Sequence, residues 1–125
     1  MKPSEILYVE DNDDDSTVVN LQLRDLMDLT IADNRHEFEE ALKQPWDVIL
    51  VDLNLGQFHG AEAIAMAKKA HPDIPVIIVT GSVNDQAASI ACRAGANDYV
   101  MKDRLERLPQ AIQQAHESQR LKVQR

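Results

Sequence analysis

Five short apolar runs, each followed by a stretch of helix length, constrain this chain more than any other feature. The runs are Ile6 to Val9, Leu29 to Ala32, Val48 to Val51, Val76 to Val79 and Tyr99 to Met101. They are rich in β-branched residues and nearly continuous rather than alternating, as expected for strands buried on both faces of a parallel sheet. The stretches between them repeat at the helical period. Val19, Leu23, Leu26 and Met27 share one face of the first. Phe38, Ala41 and Leu42 do the same in the second, over about 35–43. A third covers about 61–70 and stops before Pro72; a fourth covers about 84–94 and is closed by Gly95, a natural left-handed cap. A fifth covers about 105–120.

This alternation predicts the α/β class, with a doubly wound five-stranded parallel sheet and right-handed crossovers that put helices on both faces. The 125 residues leave room for one domain, expected over 1–120 with 121–125 as a tail or the start of a linker helix. Among doubly wound orders, 2-1-3-4-5 suits five such units and gives a flavodoxin-like three-layer sandwich. Composition does not choose that order; the strand ends do. The first run is followed by Glu10 and Asp11, the third by Asp52, the fourth by Thr80 and the fifth by Lys102. In a parallel α/β sheet the carboxyl ends of the strands share one edge, where such sheets bind ligands. Neighbouring first and third strands bring three carboxylates together there.

Polar residues end strands in any protein, but these types are chemically complementary. Clustered carboxylates repel unless a cation offsets them. Lys102 supplies one charge, and a hard divalent ion with oxygen ligands, such as Mg²⁺, supplies the rest. A carboxylate is already ionised at neutral pH, so Asp52 can attack phosphorus without a general base. Lys102 and the Thr80 hydroxyl would then meet the charge on the phosphoryl oxygens.

The segments Ile6 to Asp11, Val48 to Leu55, Val76 to Gly81 and Ala94 to Lys102 resemble, in order and spacing, the receiver domains of two-component response regulators. The resemblance covers about residues 5–118. It implies a phosphoacceptor at Asp52 and an Mg²⁺ site formed by Glu10, Asp11, Asp52 and the backbone carbonyl of Asn54. It also implies a phosphate-sensing pair in Thr80 and Lys102, and a switch aromatic in Tyr99. The partners it implies are a histidine kinase or phosphotransfer protein, with an output domain or a homodimer through the face of the fourth helix, fifth strand and fifth helix.

Two departures from the family pattern stand out. Asp103 follows the lysine where receivers usually carry a cis-proline, so the Lys102–Asp103 bond is expected to be trans. Asp103 and Glu106 read as a capping box, which places Pro109 inside a helix unless the preceding segment is a separate turn. The loop over 56–60 also lacks a common proline.

Other features bound the function. A net charge of −8 argues against nucleic acid as a direct partner. No segment is long or apolar enough to cross a bilayer, and the single Cys92 excludes an internal disulfide, so a cytoplasmic location is expected. His59, His71 and His116 show no metal-ligand spacing and read as surface groups. Trp46 reads as core or edge packing. The chain is thus expected to be a switch and not an enzyme, catalysing only its own phosphoryl transfer and dephosphorylation. The alternatives are a phosphorylation-independent interaction module and an aspartyl-nucleophile phosphatase; against the latter, Asn54 stands where such enzymes commonly keep a second acid.

Overall fold

The computed structural model describes residues 5–10, 13–52, 60–81, 93 and 95–123. Its parallel sheet has the order β2-β1-β3-β4-β5. The strands are β1 (Glu5–Val9), β2 (Asp28–Ala32), β3 (Val48–Asp52), β4 (Val76–Thr80) and β5 (Asp98–Met101). The helices are α1 (Asp13–Leu23), α2 (Arg35–Ala41), α3 (Gly60–Ala70) and the C-terminal α4 (Leu108–Val123). A 3₁₀ helix over Lys102–Arg107 joins β5 to α4. The stretch read as a fourth helix lies, apart from Arg93, outside the described residues, as do His59 and Cys92.

The α/β sandwich and its strand order agree with the expectation. Strand pleating sorts the side chains to two faces. Leu7, Val9, Ile49, Val51, Val76 and Ile78 pack with Phe38 of α2 and Ala63, Ile64 and Ala67 of α3. Ile6, Tyr8, Val48, Leu50, Ile77 and Val79 pack with Val19 and Leu23 of α1 and Leu108, Ala111 and Ile112 of α4. Trp46 is buried and its indole Nε1 donates to the Ala41 carbonyl at 2.8 Å, so packing is its role.

Several expectations need correction. Of the three central strands β3 and β4 are buried throughout and β1 everywhere but Glu5, whereas β2 and β5 are edges and expose more of their length. Leu26 is 60% exposed, because α1 ends at Leu23 and the chain turns before completing the predicted face. His71 and His116 are half-buried rather than surface groups. His71 Nε2 lies 2.7 Å from the Leu42 carbonyl, and His116 Nε2 lies 3.9 Å from Asp47 Oδ1.

The anticipated capping box at Asp103 does not form: the 3₁₀ helix begins at Lys102, with no side-chain cap. A related pair, reaching back one residue past the cap Asn34, forms at the start of α2. Asn34 Oδ1 accepts from Glu37 N at 2.9 Å, while Glu37 Oε1 accepts from Asp33 N at 2.7 Å. The 3₁₀ segment is the separate turn that Pro109 requires. Arg104 breaks its helical geometry (φ −134°, ψ 40°), and Pro109 falls in the first turn of α4, where its missing N–H costs nothing. The Lys102–Asp103 peptide is trans. Among the described residues no helix is long and apolar enough to cross a membrane.

Candidate functional site

Strand register explains which polar side chains meet. Val9 of β1 pairs with Val51 of β3, so the next residues, Glu10 and Asp52, fall side by side. Thr80 of β4 pairs with Met101 of β5, so Lys102 follows one step beyond Thr80. Glu10, Asp52 and Thr80 are all buried, and the Lys102 side chain is 20% exposed. Four of the predicted residues therefore share the carboxyl edge of the sheet. Asp11 and Asn54 lie outside the described residues.

The Lys102 ammonium holds the two carboxylates. Its Nζ lies 3.1 Å from Glu10 Oε1 and donates to Asp52 Oδ2 at 3.3 Å. The trans peptide and 3₁₀ turn therefore still deliver the lysine to the site. Tyr8, which sequence reasoning did not single out, adds a second donor: its phenol bonds Glu10 Oε1 at 2.8 Å. The available signal was spacing, because residues two apart on a strand share a face, and a buried tyrosine two before an acid needs a polar partner.

Electrostatics at this edge favour a cation. Burial and the neighbouring Asp52 carboxyl push the Glu10 carboxyl up to about 7, against the opposing pull of Tyr8 and Lys102. Glu10 Oε2 is buried with no hydrogen-bond partner. A buried oxygen left this way costs about 1–3 kcal/mol. One ammonium facing two carboxylates, with an unmatched oxygen, is a donor set that fits a hard divalent ion. Glu10 and Asp52 are the described residues that would hold it, and no described group of three His, Cys, Asp or Glu does so alone.

Tyr99, the predicted switch aromatic, is 44% exposed on edge strand β5. Arg107 ties down its surroundings. The guanidinium donates to the Tyr99 carbonyl at 3.0 Å and lies 3.6 Å from Asp98 Oδ2.

The family model for the response regulator receiver domain matches residues 6–113. The chain belongs to the receiver-domain family. Receiver domains are signalling switches of two-component systems rather than classical enzymes. The response regulator GacA of Pseudomonas aeruginosa is 32% identical over 121 residues, spanning 92% of this chain and 56% of that protein. The chain thus covers little more than half the length of this relative. NtrX from Brucella abortus superposes with a TM-score of 0.89 at 27% identity, over 99% of this receiver and 29% of that chain. A response regulator from Burkholderia pseudomallei, solved with a phosphorylated aspartic acid, a calcium ion and citrate, shares the fold. Its TM-score is 0.80 at 24% identity, over 96% of this receiver and 72% of that chain.

Proposed function

We propose that this receiver accepts a phosphoryl group on Asp52 from a histidine kinase or phosphotransfer protein, in an Mg²⁺-dependent reaction. The observation that carries the reading is the convergence of Glu10, Asp52 and Lys102, with the ammonium bridging both carboxylates. An Asp52 carboxylate oxygen forms the new bond to phosphorus while the donor's bond to phosphorus breaks, the leaving group taking the electron pair. Lys102 stays beside Asp52 to face the charge on the phosphoryl oxygens, and the Thr80 hydroxyl donates to one of them. Bound Mg²⁺ would neutralise further charge on those oxygens, held by Glu10 and Asp52 with Asp11 and the Asn54 carbonyl.

The same residues would govern dephosphorylation. Tyr99 is the switch: its ring turns inward as Thr80 approaches the phosphoryl group, reshaping the β5 edge for an output domain or a second copy. Residues 1–120 form the receiver unit and 121–125 a tail or linker start, in a cytoplasmic protein whose receiver touches neither membrane nor nucleic acid. The Burkholderia pseudomallei neighbour supports the chemistry as an instance of this fold carrying a phosphorylated aspartic acid and a hard cation.

Acetyl phosphate with Mg²⁺ tests the assignment by intact mass. One added phosphoryl group is expected on the wild type and none on Asp52→Asn. Equal labelling of that variant, or no labelling of the wild type, overturns it.

A further inference from the structure

Glu10 is held asymmetrically. Both donors, the Tyr8 phenol at 2.8 Å and the Lys102 ammonium at 3.1 Å, meet the same oxygen, Oε1. The other oxygen, Oε2, is buried and unmatched. Of the two donors, only the phenol is fixed. Tyr8 is completely buried, paired in register with Ile31 of β2 and Leu50 of β3, and packed on the α1 and α4 side of the sheet. A lysine ammonium rides on a flexible stem and moves when its partners change.

Glutamate reaches one methylene further than aspartate and has an additional torsion to fix. Without a rigid donor its carboxylate could swing both oxygens toward Lys102. Partners that orient a metal-ligating side chain are worth about 10–100-fold in metal affinity.

We propose that Tyr8 is a positioning residue for the cation site: its phenol pins Glu10 Oε1 and so presents Oε2 to the ion. The inference rests on the metal site read above and deepens it, because it assigns a role to a core residue that touches neither the ion nor the phosphoryl group. The opposite relation, in which Glu10 merely satisfies a buried phenol, leaves ion binding indifferent to the hydroxyl.

Calorimetric titration of the metal-free chain with MgCl₂ separates these relations. Tyr8→Phe removes the hydroxyl and keeps the ring. Its dissociation constant for Mg²⁺ is expected to rise about 10-fold, with a single cooperative thermal transition retained. Labelling by acetyl phosphate should lag in Tyr8→Phe at low Mg²⁺, and the deficit should narrow as Mg²⁺ is raised, which loss of packing would not produce. Affinity within twofold of wild type, or a deficit constant across Mg²⁺ concentrations, overturns the proposal. A wild-type chain that takes up no Mg²⁺ overturns the reading of the site itself, and that failure shows before any substitution is made.

Discussion

Glu10 is a carboxylic acid whose proton binds more tightly in the folded chain than in the unfolded one. Burial is the main cause, Asp52 the second, and the value rises from 4.5 to about 7. The stability this group contributes is therefore fully present below about pH 4.5 and is lost as pH rises through about 7. Metal-free protein should be less stable at about pH 8 than at about pH 5.5, by on the order of 2 kcal/mol from this group. Mg²⁺ should restore more stability at the higher pH, because ion and proton compete for one carboxyl. Urea unfolding at the two pH values, with and without Mg²⁺, checks both statements. Glu10→Gln should flatten the pH difference; a difference that persists in the variant assigns it to another group.

Elements are joined here by a few side chains that complete the backbone ladder. Asn97, just before β5, accepts through Oδ1 from the Val76 N–H at 2.9 Å and from the Lys68 ammonium at 3.2 Å. Its own N–H donates to the Val76 carbonyl at 2.7 Å. Asn97→Ala leaves a buried strand N–H without its acceptor and is expected to cost about 1–3 kcal/mol. The urea midpoint should drop with an unchanged slope. Such a link between α3, β4 and β5 is invisible in the apolar periodicity, which announces elements and not the polar ties between them. Periodicity did place the five strands and the burial of Phe38, Leu23 and Val19. It misplaced Leu26 because helical spacing continued in the letters after the helix had stopped. At the site, Glu10, Asp52, Thr80 and Lys102 were legible as polar stops on apolar runs. Tyr8 was not, because a tyrosine inside a strand reads as core until the register puts its phenol beside an acid.

At the scale of the molecule, two apolar clusters lie on opposite faces of one sheet, and the site sits at the sheet's carboxyl edge. Lys102 meets Asp52 across 50 residues of sequence, and Glu10 joins them only once β1 and β3 are in register. No local segment holds these groups together. An ion bound there acts on the native state alone, so it stabilises by mass action without aiding the first steps of assembly. Mg²⁺ should therefore slow unfolding while leaving the refolding rate nearly unchanged, since interactions absent from the transition state act on the unfolding limb. Stopped-flow measurements on the fluorescence of buried Trp46 would separate the two limbs. A refolding rate that climbs with Mg²⁺ would mean instead that the carboxyl edge is assembled before the barrier. The register that sets Glu10 beside Asp52 thus makes a bound cation a clock on the chain's topology: its grip lasts only while the ends of β1 and β3 stay aligned.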